Sequence, residues 1–251
     1  MSKRILCIGG VDSSTGAGVT ADLEVLKVLG AKGILAITSI TAQSDERFFS
    51  SHPVSVDGLQ AQLKSSESLS IDAIKIGMIP DDSAIQVVSK FLDNHTSIPI
   101  IMDPVLSTTS GGKLINFKDI NILKKELLTK VSLVTPNALE AKEITGHDCQ
   151  NVEDAEQSAE LFLKLGVQAV LIKGGHLLGP ACTDILLQKN QPPKIFTKER
   201  IKNLLVCRGT GCRLSTAIAY FMACNDNLSV AVENATAVVE RYIQSTIRPN
   251  A

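Results

Sequence analysis

Short apolar runs alternate with amphipathic stretches along almost the whole chain. The first run, residues 4–9, is mostly apolar and ends in glycine, which is typical of a buried strand. The stretch 16–29 that follows places Val19, Leu23 and Leu26 on one stripe of a helix. The same analysis predicts further strands at 33–41, 73–76, 98–102, 131–134, 169–173, 184–188 and 194–200. It predicts further helices at 56–66, 81–92, 117–128, 138–145, 152–165, 211–224 and 228–247.

This alternation predicts the fold class. Strands that alternate with helices favour a mostly parallel sheet covered by helices on both faces, which is a three-layer α/β/α arrangement. The last two predicted strands flank Pro192-Pro193 and are expected to form an antiparallel hairpin at one edge. The chain contains no repeat or linker, so we expect one domain over residues 1–251. Residues 44–58 are the least regular section and are interpreted either as a flap over a site or as a surface loop.

Composition and charge restrict the possible partners. The 251 residues are 44% hydrophobic and 20% charged, with a net charge of −1 and no tryptophan. A chain without a strong positive field or stacking surfaces is not expected to bind nucleic acid or an anionic membrane. No segment approaches the roughly 18 apolar residues of a membrane span, and Met1-Ser2-Lys3-Arg4 precedes no long apolar run. We therefore expect a cytoplasmic protein.

The cysteines carry no metal-binding or disulfide pattern. None of the six forms a C-x-x-C pair or lies at zinc-ligand spacing from histidine. In a reducing compartment we expect free thiols that are mostly buried as small apolar side chains.

Polar and glycine-rich segments follow the predicted strands directly. In open α/β sheets, ligands bind beyond the carboxyl ends of the strands, so these segments are expected to form one site. They are residues 9–14, 41–43, 77–78, 103–105, 135–137 and 173–175. Their clustering is more informative than any single motif.

The segment Gly209-Thr210-Gly211-Cys212 is the candidate phosphoryl-transfer centre. Glycines at the start of a helix let backbone N–H groups turn inward and bind an anion, which would stabilise a transferring phosphoryl group. The alternative is a plain helix N-terminus capped by Thr210. Cys212 would lie in the first helical turn, where the helix dipole is expected to lower its pKa. It could then act as a base toward a substrate hydroxyl, help to place that hydroxyl, or simply be buried.

Charged residues at other strand ends suggest the remaining phosphate chemistry. Asp103 and Glu140 together suggest Mg²⁺ bound through water, although each taken alone is more often a cap or an ion-pair partner. Lys173 follows an apolar run and precedes two glycines, so it could reach a phosphate rather than lie on the surface.

Three residues suggest a pocket for a flat ring. Gln43 offers paired donor and acceptor groups for an amide-like heterocycle edge, or is a solvated loop residue. Met78 and Val105 would line an apolar pocket, although core packing explains them equally simply. The Walker, dinucleotide-binding and G-x-S-x-G motifs are all absent, which argues against those enzyme classes.

Taken together, these segments resemble the hydroxymethylpyrimidine kinase/phosphomethylpyrimidine kinase family of thiamine biosynthesis, within the ribokinase-like superfamily. The resemblance covers roughly residues 4–247, and the order and spacing of the segments make it specific. The segments that carry it are 10–18, 21–23, 41–43, 75–78, 103–105, Ser110-Gly111, 135–137, 140–141, 173–176, 209–212 and 214–215.

The resemblance implies two successive ATP-dependent phosphorylations. The first acts on 4-amino-5-hydroxymethyl-2-methylpyrimidine and the second on its monophosphate, in an enzyme that is typically a homodimer. The implied substrate-binding residues are Gln43, which would hydrogen-bond the aminopyrimidine, with Gly10, Ala17, Asp22, Met78 and Val105. The implied ATP-binding residues are Lys173, Asn137 and Thr210, with Mg²⁺ held by Asp103 and Glu140. The implied catalytic residues are Cys212 and the anion hole of Gly209, Thr210 and Gly211.

Two positions beside the candidate centre depart from the family. Arg208 stands where histidine is usual, and Arg213 stands where threonine is usual. Either arginine could contact ATP or a substrate phosphate, or could obstruct the anion hole. The segment after Gln43 also lacks the usual residues. The two arginines leave open a catalytically impaired pyrimidine-binding homologue. A pyridoxal or pyridoxine kinase also stays open, because its ring is likewise flat, contains nitrogen and carries hydroxymethyl groups.

Overall fold

The structure, a computed structural model, describes residues 2–44, 47–107, 120–178, 181–200 and 207–246. Its strands are β1 (Arg4–Asp12), β2 (Lys32–Gln43), β3 (Phe48–Pro53), β4 (Ala73–Ile76), β5 (Ile100–Met102), β6 (Leu133–Val134), β7 (Ala169–Ile172), β8 (Ala181–Gln188) and β9 (Lys194–Glu199). Its α-helices are α1 (Gly18–Val28), α2 (Val56–Ser66), α3 (Asp82–Leu92), α4 (Asn121–Glu126), α5 (Ala138–Thr145), α6 (Val152–Lys164), α7 (Thr210–Ala223) and α8 (Leu228–Thr246). Short 3₁₀ turns occur at Leu128–Lys130 and Gly174–His176.

The strands of the described residues form one sheet of nine, in the order β3-β2-β1-β4-β5-β6-β7-β8-β9. The six strands from β2 to β7 in this order pair in parallel. β8 pairs antiparallel with β7 and β9, and β3 pairs antiparallel with β2. The predicted parallel sheet and its antiparallel edge hairpin are therefore confirmed.

The second antiparallel edge was not predicted. Residues 44–58 contain strand β3 and the beginning of helix α2, so the interpretation of this section as an irregular loop is wrong. β3 is held to β2 by main-chain pairing, and its side chains are half-buried or exposed. A short polar edge strand lacks the alternation that identifies strands in a sequence.

Two apolar cores lie on opposite faces of the sheet. Along β1, Leu6 and Ile8 belong to one core and Ile5 and Cys7 to the other, because successive strand residues point to opposite faces. Helices α2 to α6 pack on the first face, and α1, α7 and α8 pack on the second. This arrangement gives the three predicted layers, and it places the amino end of α7 at the carboxyl edge of the sheet.

Most element ends agree with the sequence analysis, and the differences have local causes. Strand β1 continues to Asp12, beyond its predicted end, because its pairing with β2 resumes after a register shift between Gly9 and Gly10 that leaves Thr38 of β2 without a partner. Helix α7 begins at Thr210 rather than 211. The first residues of the predicted helix 117–128 lie outside the described residues, as does residue 247.

The cysteines agree only in part with the sequence analysis. All six cysteines are free, as predicted, but Cys7 and Cys149 are buried whereas Cys224 is exposed and the others are half-buried. The expectation of mostly buried thiols is therefore wrong.

In the part of the chain that the structure describes, no helix is long and apolar enough to cross a membrane.

Candidate active site

A cavity of about 420 Å³ opens at the carboxyl ends of the central strands. The segments that the sequence analysis grouped together converge on it, because the parallel strands end at one edge of the sheet. The predicted site residues that line it are Gly10, Ala17, Gln43, Met78, Asp103, Val105, Asn137, Glu140, Lys173, Gly209, Thr210, Gly211 and Cys212. Ser110-Gly111 and 45–46 lie outside the described residues. The described residues of β3 are not among the lining residues.

The amino end of α7 presents backbone N–H groups at the cavity wall. Gly209 is the N-cap residue, with a left-handed φ of 68°, and no side chain caps the helix. The alternative in which Thr210 acts as the cap is therefore wrong. A Cβ atom at Gly209 would lie 2.3 Å from the carbonyl oxygen of Gly16, so two glycine turns meet here in direct contact. The uncapped N–H groups and the helix dipole favour an anion at this point.

Cys212 lies in the first turn of α7 and lines the cavity. Burial raises the pKa of its thiol to about 11, against the lowering effect of the Lys75 ammonium, and the carboxylates of Asp103 and Asp22 raise it further. The N–H of Gly18 favours the thiolate but does not reverse the balance. The predicted lowering of the Cys212 pKa is therefore wrong, because desolvation outweighs the helix dipole.

Asp22 does not line the cavity, although it was placed among the substrate-binding residues. Its carboxylate is fully buried and accepts hydrogen bonds from Lys75 Nζ, at 2.9 and 2.8 Å, and from the Thr216 hydroxyl, at 2.8 Å. Burial alone would lower the pKa of Lys75, but Asp22 outweighs it and raises the pKa, so the ammonium stays charged. Asp22 therefore lies behind the wall, and Lys75 is the member of the pair that reaches the cavity.

Lys75 is a site residue that the sequence analysis did not single out. The signal was present, because a lysine inside the apolar strand Ala73–Ile76 must be paired when it is buried. What the sequence did not show is its partner, 53 positions away along the chain.

Lys173 joins the two candidate metal ligands. Its ammonium lies 2.5 Å from Asp103 Oδ1 and 3.8 Å from Glu140 Oε2. Burial alone would lower the pKa of Lys173, but these two carboxylates outweigh it and raise the pKa. Burial raises the pKa of Glu140 to about 7, with Lys173 opposing and Asp103 adding to the shift. Asp103 is therefore an ion-pair partner as well as a cavity residue.

Glu140 and Asn137 also begin helix α5 through a capping box. Asn137 Oδ1 accepts from the N–H groups of Leu139 and Glu140, and Glu140 Oε2 accepts from the Asn137 N–H at 2.7 Å. The described residues contain no group of three or more acidic, histidine or cysteine side chains arranged to hold a metal directly. Two carboxylates at one wall suit an ion that keeps most of its water, as Mg²⁺ does.

Other lining residues combine an amide with apolar surface. Gln43 is half-buried and donates from Nε2 to the Thr41 hydroxyl at 3.2 Å. Met78 packs so closely on Gly10 that a Cβ atom there would lie 2.9 Å from its sulfur. Gly10, Met78 and Val105 therefore leave a smooth apolar surface beside the Gln43 amide, which suits a flat polar ring.

Asp12, a second residue that the sequence analysis missed, organises the turn after β1. Its buried carboxylate accepts from the N–H groups of Ser14, at 2.9 Å, and Ala17, at 3.0 Å. Arg208 Nη2 donates to the same carboxylate at 3.0 Å. Asp12 and Arg208 both line the cavity, so this ion pair forms part of its wall.

Arg213 lies behind the anion hole and does not obstruct it. The guanidinium is 4% exposed, lies 3.9 Å from the ring centre of Tyr242 and forms an ion pair with Glu24. From Nη1 it donates to the carbonyl oxygens of Gly16, at 3.1 Å, and Arg208, at 3.2 Å. Both functional alternatives for Arg213 are therefore wrong, since it is absent from the cavity lining and joins two backbone turns instead.

The three layers, the uncapped helix end and the cavity above the parallel strands are those of a ribokinase-like kinase. The family model described as phosphomethylpyrimidine kinase matches residues 12–251. The chain belongs to this family, and it is therefore a phosphotransferase.

Individual relatives agree with this assignment. The hydroxymethylpyrimidine/phosphomethylpyrimidine kinase of Aquifex aeolicus is 32% identical over 247 residues, which cover 96% of this chain and 94% of that protein. The crystal structure of the Clostridium difficile phosphomethylpyrimidine kinase matches with a TM-score of 0.82 and 33% identity, over 98% of this chain and 100% of that one. Staphylococcus aureus pyridoxal kinase in complex with ADP matches with a TM-score of 0.90 and 28% identity, over 100% and 91% of the two chains.

Proposed function

We propose that this protein uses ATP to phosphorylate 4-amino-5-hydroxymethyl-2-methylpyrimidine, and then phosphorylates the monophosphate to the diphosphate used in thiamine biosynthesis. The observation that carries the proposal is the cavity with an uncapped helix end at one wall and an amide beside apolar surface at another. The family assignment and the full-length relatives named for these two substrates support it.

The nucleotide side of the site is assigned to the charged wall. Lys173 would contact the phosphates of ATP as a point charge, with Asn137 and Thr210 beside it. Asp103 and Glu140 would hold Mg²⁺ through water, and the ion would neutralise charge on the phosphates when bound. The N–H groups from Gly209 to Cys212 would stabilise the charge that develops on the transferred phosphoryl group.

The acceptor side is assigned to the apolar wall. Gln43 would hydrogen-bond the amino group and a ring nitrogen of the pyrimidine, between the surfaces of Gly10, Ala17, Met78 and Val105. Asp22 would act only through Lys75, because its carboxylate is fully buried. This assignment places the ring at one wall and the reacting groups at the amino end of α7.

The first transfer joins the hydroxymethyl oxygen to the γ-phosphorus of ATP. As that bond forms, the bond to the β–γ bridging oxygen breaks and ADP leaves. The hydroxyl proton must go to a base, and Cys212 can accept it only as the thiolate. Because the Cys212 pKa is raised to about 11, the thiolate is a minor form near neutral pH and becomes more abundant as the pH rises.

Pyridoxal is the second candidate acceptor. The observation that favours it is the similarity to S. aureus pyridoxal kinase, whose TM-score of 0.90 exceeds the 0.82 of the C. difficile pyrimidine kinase. Sequence identity favours the pyrimidine, at 33% against 28%.

We also propose a single domain, supported by the one continuous sheet of the described residues. We further propose a cytoplasmic homodimer, as the family resemblance implies.

Incubation of the purified protein with ATP, Mg²⁺ and either acceptor tests the proposal. Mass spectrometry should detect the pyrimidine monophosphate first and then the diphosphate, with slower turnover of pyridoxal. A clear preference for pyridoxal would replace the proposed substrate.

Saturable pyrimidine binding without any product would instead indicate the impaired homologue. In that case the family residues, introduced as Arg208→His with Arg213→Thr, should restore turnover.

A further inference from the structure

Three cationic side chains line the cavity in the described part of the chain: Lys75, Lys173 and Arg208. Lys75 is bound to both oxygens of the buried Asp22, and Lys173 lies between the candidate metal ligands. Lys75 is thus held by the buried carboxylate of Asp22, and Lys173 is held by the carboxylates on the nucleotide side. Arg208 is the lining cation that belongs to the turn on the acceptor side.

Contacts of the guanidinium fix this position. Arg208 donates from Nη1 to the Ser14 hydroxyl at 2.7 Å and from Nη2 to Asp12 at 3.0 Å. It also packs on Gly16, where a Cβ atom would lie 3.3 Å from Nη1. The same turn contributes Ala17 to the cavity, and the residue after Arg208 is Gly209, the first of the anion hole. The guanidinium therefore lies on the turn that contributes Ala17 to the cavity, and its backbone adjoins the anion hole.

The two acceptors of the proposed function differ in the charge that they would bring close to Arg208. The hydroxymethyl group is neutral, whereas a phosphomonoester carries a charge of about −1.5 to −2 near neutral pH. In the second transfer, one phosphate oxygen bonds to the γ-phosphorus of ATP while the bond to the β–γ bridging oxygen breaks and ADP leaves. The remaining oxygens of the acceptor phosphate keep negative charge that needs donors. An arginine fork binds two such oxygens at once, which a histidine ring does not.

The local structure allows Arg208 to share its donors with a ligand. Asp12 would keep the N–H groups of Ser14 and Ala17 and the Ser14 hydroxyl if the guanidinium turned toward a phosphate. The carboxylate would therefore not be left buried without partners. The backbone of Arg208 is held independently, because its carbonyl oxygen accepts from Arg213 Nη1 at 3.2 Å and from the Tyr242 hydroxyl at 3.5 Å.

We infer that Arg208 binds the phosphate of the pyrimidine monophosphate and so determines specificity for the second acceptor. This inference rests on the proposed function. Arg208 would thus act in the second phosphorylation, because the acceptor of the first phosphorylation has no phosphate for it to bind.

Steady-state kinetics with each acceptor separately test the inference. Because hydrogen bonds to charged groups are the stronger ones, Arg208→Gln should lower kcat/KM for the monophosphate by about tenfold to a hundredfold. The value for the hydroxymethylpyrimidine should fall by a clearly smaller factor, since that acceptor carries no charge for Arg208 to bind, so the ratio of the two values should change by about tenfold. Arg208→Lys should retain part of the activity on the monophosphate, because lysine keeps the charge without the fork. Arg241→Gln, which removes an exposed arginine of α8, is the matched control and should change neither value.

Calorimetry without nucleotide provides a readout that does not depend on turnover. The monophosphate should bind Arg208→Gln with a Kd raised by a similar factor, while the Kd of the unphosphorylated pyrimidine should rise clearly less. Equal losses with both acceptors, or no loss with the monophosphate, would overturn the inference. So would a wild-type protein that forms the monophosphate but never the diphosphate.

Failure of the proposed function has a different signature. A wild-type protein that forms neither product contradicts the kinase activity on these pyrimidines. Calorimetry then decides the inference separately: weaker monophosphate binding by Arg208→Gln supports it, and unchanged binding overturns it.

Discussion

Lys75 Nζ donates to both carboxylate oxygens of Asp22, at 2.9 and 2.8 Å, and neither side chain has appreciable contact with water. The pair joins β4 to α1, and Thr216 extends it to α7, one helical turn after Cys212. A buried pair of this kind is expensive to break because the remaining charge cannot be solvated.

Lys75→Met should therefore destabilise the protein strongly. We expect a loss of about 3–5 kcal/mol in the free energy of unfolding, because Asp22 is left buried without its counter-ion. Adding Asp22→Leu should recover most of that loss, since the double variant buries no charge. Urea unfolding of the two single variants and the double variant measures the coupling. Additive losses would show that the two side chains do not stabilise each other.

Cys212→Ala should distinguish the two phosphorylations. The hydroxyl acceptor must lose a proton in the first transfer, whereas a phosphomonoester, with a second pKa of about 6, is already deprotonated near neutral pH. We expect Cys212→Ala to lower kcat for the hydroxymethylpyrimidine by about a hundredfold and kcat for the monophosphate much less. Equal effects on both acceptors would assign Cys212 to packing or positioning.

The pH dependence of the first phosphorylation follows from the raised Cys212 pKa. A base must be deprotonated to act, and below a pKa of about 11 the thiolate fraction rises about tenfold per pH unit. The rate of the first transfer should therefore increase from pH 7 to about pH 9, and the increase should disappear in Cys212→Ser. The charged groups that influence this thiol are Lys75, Asp103 and Asp22. A flat profile in the wild-type protein would contradict a thiolate base.

Gly209→Ala should strongly reduce activity because the anion hole cannot keep its shape. The new Cβ atom would lie 2.3 Å from the Gly16 carbonyl oxygen, so the two glycine turns must separate. We expect kcat to fall by about a hundredfold or more, as when a donor to the transition state is lost.

Gly146→Ala is the matched control for this variant. Gly146 has a left-handed φ of 77°, similar to the 68° of Gly209, but no atom lies within 4 Å of the point that an added Cβ would occupy. It should cost only the conformational strain of about 1–2 kcal/mol and leave kcat unchanged. Similar activities for the two variants would show that the contact with Gly16 is unimportant.

Glu140→Gln and Asp103→Asn should each raise the Mg²⁺ concentration needed for half-maximal rate. Partners that act through water typically change metal affinity by about tenfold to a hundredfold when they lose their charge. In Glu140→Gln the side-chain oxygen can still accept the N–H of Asn137, so the helix cap and the unfolding midpoint should be nearly unchanged. Asp148→Asn removes an exposed carboxylate near the end of α5 and should not alter the Mg²⁺ titration. Unaltered titrations in all three variants would argue against a metal site here.

The layers of this fold could be predicted from the sequence because they depend on local periodicity. Helices 56–66 and 138–145 were predicted with their observed ends, and Gly146 adopts the left-handed conformation expected of a C-terminal cap. Strand β3 was missed because none of its residues is buried, so its sequence shows no alternation of apolar and polar positions.

The position of the site was also predictable, but its internal pairing was not. Parallel strands end at one edge, so the grouping of polar residues after strands sufficed to bring Asp103 and Lys173 together. The partners of Lys75 and Arg213 lie on helices that are distant in the sequence, Asp22 and Glu24 on α1 and Tyr242 on α8. The Cys212 pKa depends on burial, which a position at a helix start does not indicate.

The contact between Arg213 and Tyr242 has a consequence for biosynthesis of the protein. Tyr242 lies in α8, yet it stacks on the guanidinium that holds the Gly16 and Arg208 carbonyls in place. The Gly16 turn is therefore stabilised through a side chain that leaves the ribosome more than 200 residues later. In a nascent chain whose residue 242 is still inside the ribosome, the turn at Gly16 should therefore be less ordered than in the finished protein, even if the strands have already formed.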